Sequence, residues 1–389
     1  MRLFAPLLGK SEELMHEKCL KRKNPWVREC LYELGELDPI EYFTPEDEHY
    51  LTNLSQKLPK FAVNDDNAFL DINTKRAVLK VSSSVVALLS YTTGEQELTQ
   101  CSGVIIENDG NNGHIVLTSA NLIRRPTEED MMEDKLAENL KVMIYLYDGR
   151  SYEGEVRAYD FHYNIAWIQF QSDSSLATAT LRQVDDYINV NPAEEKSFHL
   201  HPHSSHFNLV PGHAIVAVGR YFAKPFDLMV APGEFTLGRC DFDCKELFMG
   251  TCKTTICGEG GALINISGEV IGITFFYDFG FTTPFLPINI ASKCWEHYKR
   301  YGGLWRPSLG FKATNFYTAD IYVIEKVIQK ILSICNGVLV EKVIQGSSAG
   351  LHLKDVIVRC DGKTVHSFLE FLEMVWDKKV GDVLQLFVV

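Results

Sequence analysis

The feature that most constrains the fold is a series of short apolar segments separated by turn-forming residues. Segments 101–106 and 114–119 flank the run Asp109 to Gly113, DGNNG, and a run of this composition favours a β-hairpin. Two similar pairs follow: 142–147 with 152–159, and 263–266 with 270–276. Further strand-like segments are 165–170, 215–219, 233–238 and 251–256. Many short strands connected in this way predict a β-barrel or a β-sandwich.

The two ends of the chain have other patterns. Residues 1–72 are charged and irregular, and Asp38-Pro39 and Thr44-Pro45 interrupt any regular element there. After the strand-rich region, a helix-like segment stops at Gly302-Gly303. Near the C-terminus, Ser367 and Glu370 have the spacing of a capping box before a helix. We predict three parts: an N-terminal extension over 1–72, partly helical or mobile; a β-barrel domain over 73–303; and an α+β domain over 304–389.

Composition excludes several classes of function. The formal net charge of −13 argues against a nucleic-acid-binding protein, which presents a basic face. No run of apolar residues approaches the length of a membrane span. The first residues, Met1 to Lys10, lack the pattern of a secretory signal. We therefore expect no nucleic acid, no membrane span and a cytoplasmic or nuclear location.

Two groups of residues are candidate metal sites. The cysteines at 240, 244, 252 and 257 lack the tight pairs of a zinc site. His199, His201 and His203 would share one face of an extended strand and could bind a metal. A polar loop interrupted by Pro202 and Pro211 explains this cluster better. We predict no metal and no cofactor, and keep a metal-dependent role of the histidines as an alternative.

Three motifs, in chain order, resemble those of the Deg/HtrA serine proteases. Val116 to Leu122, VLTSANL, resembles the histidine motif V-L-T-[ST]-A-H. Asn164 to Ile168, NIAWI, resembles the aspartate motif D-[LI]-A-[VL]-[LI]. Cys257 to Asn265, CGEGGALIN, resembles the nucleophile motif G-N-S-G-G-P-L-[VI]-N. The resemblance covers about residues 75 to 389. Within the family, the chain is most similar to plant Deg-like proteins. It implies a mostly β fold, a chymotrypsin-like double β-barrel followed by a PDZ-like α+β module.

Matched position by position, the resemblance places the histidine of the catalytic triad at Asn121, its aspartate at Asn164 and its serine at Glu259. Acyl transfer needs a hydroxyl nucleophile, a base and a carboxylate that orients the base. An asparagine amide cannot act as the base, and a carboxylate at the nucleophile position opposes a developing oxyanion. We predict that the triad is degenerate and that the protein has no protease activity.

The nucleophile loop is only partly preserved. Gly260 and Gly261 match the motif, whereas Cys257 and Gly258 replace its Gly-Asn, so these four residues form a remnant of the oxyanion loop. An alternative is an active serine-type endopeptidase, with a role in protein quality control, that uses relocated residues. Cys257 with His114 as its base is one such pair.

The C-terminal part supplies a candidate binding site. Leu309-Gly310-Phe311 resembles the carboxylate-binding loop [YW]-[LI]-G-[IVF] of PDZ domains, which bind an extended peptide beside a sheet edge. The resemblance implies a polypeptide or C-terminal peptide as ligand. Because Deg/HtrA proteases commonly form trimers, it also implies a homo-oligomer, or a hetero-oligomer with active relatives. The function predicted is that of a peptide-binding or regulatory pseudoprotease.

Two segments are predicted to be helical additions to this plan. Residues 127–140 are acidic and prone to form a helix, as a surface elaboration or a lid that binds a partner. Residues 314–334 are long and apolar, and a helix there would cover the peptide groove.

Overall fold

The structure is a computed structural model. It describes residues 70–389 except for residues 93–95, 111–112, 127–131, 193–204, 239–243, 276–281, 305, 307–308, 332–333, 345–349 and 380. The predicted N-terminal extension over 1–72 therefore lies almost wholly outside the described residues.

The chain enters the first barrel through helix α1, Ile72–Val81. The Asp71 carboxylate accepts hydrogen bonds from the first turn of this helix and caps it. Ala77, Val78 and Val81 are buried and share one helix face, as their spacing of three and four residues requires. This face packs into the core of the molecule.

The first barrel is closed by six antiparallel strands in the order β1-β2-β3-β8-β7-β6. A small hairpin, β4 with β5, is inserted between β3 and β6. The first eight strands are β1 Val85–Thr92, β2 Gln96–Asn108, β3 Gly113–Ser119, β4 Arg124–Pro126, β5 Met132–Leu136, β6 Lys141–Tyr145, β7 Ser151–Asp160 and β8 Ile165–Gln171. Branched apolar side chains on alternate positions, such as Val86, Leu88 and Ile144, fill the interior.

A second six-stranded barrel follows, closed in the order β11-β12-β13-β16-β15-β14. Two short parallel strands, β9 and β10, precede it, and helix α2, Ile288–Tyr301, follows its last strand. These strands are β9 Val184–Asp185, β10 Phe207–Asn208, β11 Ala214–Arg220, β12 Leu228–Thr236, β13 Phe248–Gly250, β14 Ala262–Asn265, β15 Val270–Thr274 and β16 Thr283–Pro287. Two closed barrels in succession confirm the predicted chymotrypsin-like double barrel.

The guanidinium of Arg220 joins the second barrel to the start of the first. It donates hydrogen bonds to the carbonyl oxygens of Ser82, Val85 and Phe226 at 2.5–2.7 Å. Arg220 is 4% exposed, and burial lowers its pKa to about 10. The three carbonyl groups satisfy a charge that would otherwise be costly to bury.

The C-terminal part is a five-stranded sheet with two helices. Strands β17 to β20 lie in sequence order, and β21 pairs with β19. Its elements are β17 Phe311–Asn315, helix α3 Ile321–Lys330, β18 Val338–Val343, β19 Val356–Cys360, β20 Lys363–Thr364, helix α4 Phe368–Val375 and β21 Leu386–Val388. The Ser367 hydroxyl accepts a hydrogen bond from the Glu370 backbone N–H and caps α4 as predicted, while the Glu370 carboxylate bonds to His366.

This C-terminal sheet packs on the second barrel through polar and aromatic contacts. Asn289 in α2 donates a hydrogen bond of 2.8 Å to Glu373 in α4. Asp186, which follows β9, accepts hydrogen bonds from Tyr317 at 2.8 Å and from Asn315 at 3.2 Å. Asp186 is 1% exposed, and burial raises its pKa to about 6.

Two predicted elements are wrong. Segment 251–256 is a loop, because β13 ends at Gly250 and the chain then turns toward the nucleophile loop. In the acidic segment 127–140, which was expected to be helical, residues Met132–Leu136 form strand β5. Pairing with β4 and the ion pair between Arg124 and Asp134 outweigh its helix propensity.

The helix expected within 314–334 is α3. Among the described residues, no helix is long and apolar enough to cross a membrane.

Candidate functional site

The three degenerate triad positions come from separate elements and meet between the two barrels. Asn121 lies in a 3₁₀ turn, Ala120–Ile123, that follows β3. Asn164 ends the turn before β8 and has a φ of +52°, a left-handed conformation that asparagine tolerates better than most residues. Glu259 follows a second 3₁₀ turn, Ile256–Gly258, from the second barrel.

One carboxylate oxygen of Glu259 holds this site together. Its Oε1 accepts hydrogen bonds from the Ser119 hydroxyl at 2.6 Å, the Asn121 amide at 3.0 Å and the Asn164 amide at 3.2 Å. Glu259 is 6% exposed, and a buried carboxylate needs such donors. The neighbouring Cys101 thiol has a pKa raised by burial and by the negative charge of Glu259.

The chemistry available to this arrangement differs from that of a catalytic triad. The amides of Asn121 and Asn164 donate hydrogen bonds but take up no proton near neutral pH. The Glu259 oxygen that replaces the nucleophile is already the acceptor of three hydrogen bonds. The site is therefore a closed hydrogen-bond network without a proton relay.

The backbone N–H groups of the nucleophile loop donate hydrogen bonds within the loop itself. The N–H groups of the nucleophile and of the residue two positions before it form the oxyanion hole of trypsin-like enzymes. Here the N–H of Cys257 donates to Thr255 Oγ1 at 3.3 Å, and that of Glu259 donates to the Ile256 carbonyl at 3.1 Å. The intervening Gly258 N–H donates to the Thr255 carbonyl at 2.8 Å. These donors do not point at a position where an oxyanion would form.

The two motif glycines fit the loop against its neighbours, Gly260 against the first barrel and Gly261 against β11 of the second barrel. Gly260 has a φ of +72°, and a Cβ there would lie 2.5 Å from the Ser102 carbonyl oxygen. A Cβ on Gly261 would lie 2.5 Å from the Val218 carbonyl oxygen, a distance that leaves no room for a side chain. Both positions require glycine for packing, whatever the chemistry of the site.

Ser102 connects the same loop to both barrels. Its backbone N–H donates to the Glu259 carbonyl at 2.7 Å, and its hydroxyl donates to the Cys257 carbonyl at 2.6 Å. The hydroxyl also accepts a hydrogen bond from the Arg220 N–H at 2.8 Å. Neither this role of Ser102 nor the bond from Ser119 to Glu259 could be foreseen from the sequence, since both depend on how the loops meet.

Comparison with known proteins shows which proteins the chain is similar to. Residues 101–273 match the model of a trypsin-like peptidase domain. The chain is 28% identical over 304 residues to a putative protease Do-like 14 of Arabidopsis thaliana. This match covers 74% of this chain and 60% of that protein. It is also 28% identical over 263 residues to the periplasmic pH-dependent serine endoprotease DegQ of Escherichia coli, covering 63% and 50%. The chain is therefore similar to trypsin-like serine proteases of the Deg/HtrA type. The chain thus spans about half to three fifths of the length of these relatives.

The relocated pair proposed for an active Deg/HtrA enzyme is not brought together. His114 lies five residues before Ser119 on β3, about 16 Å along the strand. There its ring contacts the Ser172 hydroxyl at 3.0 Å and the Phe170 ring. Burial raises the pKa of the Cys257 thiol to about 11, which disfavours the reactive thiolate. Cys257 and His114 therefore form no nucleophile–base dyad.

The residues predicted to bind a peptide carboxylate lie at the start of β17. Gly310 has a φ of +71°, and its carbonyl accepts a hydrogen bond from the Ile344 N–H. Phe311 is 7% exposed and contacts Phe371 of α4, with ring centroids 6.2 Å apart. Leu309 is partly buried against the same core. The three residues are consecutive in the chain, and the last of them joins β17 to α4 by its ring contact.

The histidine segment is largely outside the described residues, which include neither His199, His201 nor His203. Of the neighbouring histidines, His213 contacts the Phe207 ring at a centroid distance of 5.7 Å. The metal-dependent alternative at this segment stays a prediction.

The network around Glu259 gives a stability prediction. We expect Glu259→Ala to lower the free energy of unfolding by about 2–4 kcal/mol, because three donors lose their acceptor. The loss is limited because two of the three donors, the amides of Asn121 and Asn164, are partly open to water. Glu259→Gln keeps one acceptor oxygen and is expected to cost less. Urea denaturation of the two variants and the wild type measures the difference. An alanine variant as stable as the wild type would show that the network contributes nothing to folding.

Proposed function

We propose that the protein is a catalytically inactive Deg/HtrA-like pseudoprotease that binds polypeptides and thereby regulates or assists related proteases. The observation that carries the proposal is the Glu259 carboxylate at the nucleophile position, hydrogen-bonded by Ser119, Asn121 and Asn164. The N–H groups of Cys257 and Glu259 are bonded within the loop and are not available to an oxyanion. This is a second obstacle to catalysis, because loss of one oxyanion donor alone costs about 3–4 kcal/mol of transition-state stabilisation.

The binding part of the proposal concerns the C-terminal sheet. In the described residues, β17 has one neighbouring strand, β18, so its other side is a sheet edge. PDZ domains bind a peptide by adding it as a strand to such an edge, beside a helix. The position of β17 next to α4 and the left-handed Gly310 before it support a PDZ-like peptide-binding role.

A cavity of about 90 Å³ lies between this groove and the second barrel, lined by Thr314, Asn315 and Leu372 on one side and by Leu247 and Phe248 on the other. Sites for ligands of drug size or larger occupy about 300–1,000 Å³. A bound peptide would therefore need a shift of the barrel loop, and we propose that peptide binding and barrel packing are coupled.

Activity is tested by incubating the purified protein with fluorescein-labelled unfolded casein and, separately, with a fluorophosphonate probe. We expect casein to bind, as a rise in fluorescence anisotropy, without forming fragments, and we expect no labelling by the probe. Fragments or a labelled hydroxyl would overturn the assignment as a pseudoprotease. Intact casein with no anisotropy change would instead contradict the binding role.

Peptide recognition is tested with a matched pair of glycine variants. Gly310→Ala and Gly302→Ala both place a side chain at a left-handed φ, +71° and +70°, at a similar strain of about 1–2 kcal/mol. Gly302 ends α2, belongs to neither β17 nor α4, and has open space around it. We expect Gly310→Ala to weaken binding of a peptide with a free carboxyl end by roughly 5- to 30-fold, and Gly302→Ala to leave it unchanged. Equal effects, or equal binding of the amidated peptide, would contradict this site.

Self-association and association with active relatives follow from the same proposal. Light scattering of the purified protein measures the first, and co-purification with a related active subunit measures the second. A monomer that binds no related subunit would restrict the proposed role to peptide binding alone.

A further inference from the structure

A cluster of three potential metal ligands combines residues of the two barrels. His162 belongs to the turn before β8 in the first barrel, and Cys244 and Glu246 belong to the segment before β13 in the second. The ligand atoms of all three lie within 4.8 Å of one another. Cys244 is 6% exposed, and the side chains of Glu246 and His162 are 12% and 27% exposed.

Two of the three distances within the cluster match the edges of a tetrahedral metal site, and the third, between His162 and Cys244, is within 4.8 Å. His162 Nε2 lies 3.5 Å from Glu246 Oε2, and Cys244 Sγ lies 3.4 Å from the same oxygen. Zinc bonds of about 2.3 Å to sulfur and about 2.0 Å to nitrogen or oxygen place tetrahedral ligand atoms about 3.3–3.5 Å apart. The separation of His162 from Glu246 exceeds the usual 2.7–3.2 Å of a direct N–H···O hydrogen bond.

A buried hydroxyl next to the cluster is a second, independent observation. Tyr163 is 1% exposed, and among the described residues its hydroxyl has no hydrogen-bond partner. The Tyr163 ring lies against the ring of the ligand candidate His162, with centroids 5.0 Å apart. Buried hydroxyl groups are nearly always hydrogen-bonded, so this group indicates a polar ligand at the site.

A cavity next to Cys244 and Glu246 gives an ion and a water molecule access to the cluster. Cys244 and Glu246 both line the cavity of about 90 Å³ that also borders Tyr317 and Thr318. A water molecule needs only about 10–15 Å³ of such space. An ion bound by the cluster can therefore carry a water ligand.

We propose that His162, Cys244 and Glu246 bind a divalent transition-metal ion of the zinc class. Thiolate, imidazole and carboxylate together suit Zn²⁺ better than Mg²⁺ or Ca²⁺, which prefer all-oxygen sites. Three protein ligands leave a fourth position for water, on the side of the cavity that Cys244 and Glu246 line. Because the ligands come from both barrels, a bound ion links the two barrels, and one of its ligands, His162, is two residues from Asn164 in the chain.

The test uses full-length protein without an affinity tag, stripped with EDTA and dialysed, then titrated with Co²⁺ and Zn²⁺. We expect about one equivalent of Co²⁺ to bind and to produce a thiolate-to-cobalt charge-transfer absorption in the near ultraviolet. Zn²⁺ is expected to displace the cobalt and to raise the thermal unfolding temperature by mass action.

Variants separate this site from other thiols. Cys244→Ser is expected to abolish the charge-transfer absorption, and His162→Ala to weaken Co²⁺ binding at least tenfold. Cys252→Ser removes another buried thiol of the second barrel, whose pKa is raised to about 12 by burial, and is expected to bind like the wild type. Thermal unfolding without metal confirms that each variant is folded. Absence of stoichiometric binding, or an unchanged absorption in Cys244→Ser, would overturn the proposal.

Discussion

A variant that restores the triad, with Asn121→His, Asn164→Asp and Glu259→Ser, is expected to react with a fluorophosphonate only slowly. The three positions already meet in space, because Asn121 and Asn164 both contact the Glu259 side chain. The restored histidine can therefore reach the restored serine. The oxyanion donors of this loop, however, are bonded to Thr255 and Ile256, and the missing donors limit the rate.

Adding Cys257→Gly and Gly258→Asn to that triple variant restores the family's loop sequence. We expect the resulting five-site variant to react about 10²–10³ times faster than the triple variant, the effect of one oxyanion donor. The rate of labelling under excess probe is the measurement, with the wild type as the unreactive control. Equal rates for the two variants would show that the loop is not a second lesion. Absence of reaction in both would contradict the positional match itself.

A second large effect is expected at Asp186, which is buried where the C-terminal sheet packs on the second barrel. Burial raises its pKa in the folded protein to about 6, from an ordinary value of 3.8. The folded state thus binds a proton more tightly than the unfolded state between these values. Its contribution to stability is therefore favourable at low pH, falls as pH rises from about 4 to 6, and stays at its lowest level above that range.

We expect Asp186→Asn to be more stable than the wild type at pH 7.5, by at most about 3 kcal/mol for a pKa difference of about 2 units. The asparagine oxygen can still accept the hydrogen bond from Tyr317. The advantage of the variant is expected to shrink toward pH 4.5, where Asp186 is protonated in the folded protein. Asp382→Asn, an exposed position of the same part of the chain, is the control, measured by urea denaturation at both pH values. A destabilised Asp186→Asn variant at pH 7.5 would show that the charged carboxylate is required.

Local sequence patterns predicted most strands of the two barrels, because each is a short apolar run bounded by residues that favour turns. Helix α4 was predictable from its capping box, and α2 from the glycines that end it. Helix α1 was missed, although Asp71 caps it and one face is apolar, because its polar residues resemble those of the preceding extension. Strand β5 was misassigned since its acidic sequence favours a helix, and only pairing with β4 makes it a strand.

The candidate site divides in a similar way. Motif spacing located Asn121, Asn164 and Glu259, and these residues do meet. The inward turn of the Cys257 and Glu259 N–H groups depends on backbone angles that no residue pattern specified. The cluster of His162, Cys244 and Glu246 was not predictable either, because its members come from different barrels and lack the local spacing of known metal motifs.

The fit of Gly260 against the first barrel has a consequence for how such proteins are recognised. A Cβ at this position would collide with the Ser102 carbonyl and the Ser119 N–H, at 2.5 and 2.6 Å. Selection for folding alone therefore preserves a glycine that is usually taken as a mark of a working nucleophile. Motif searches that score this glycine will therefore group chains that lack the three triad residues with chains that have them. The side chain at position 259 and its two distant partners, at 121 and 164, carry the distinction that this glycine does not.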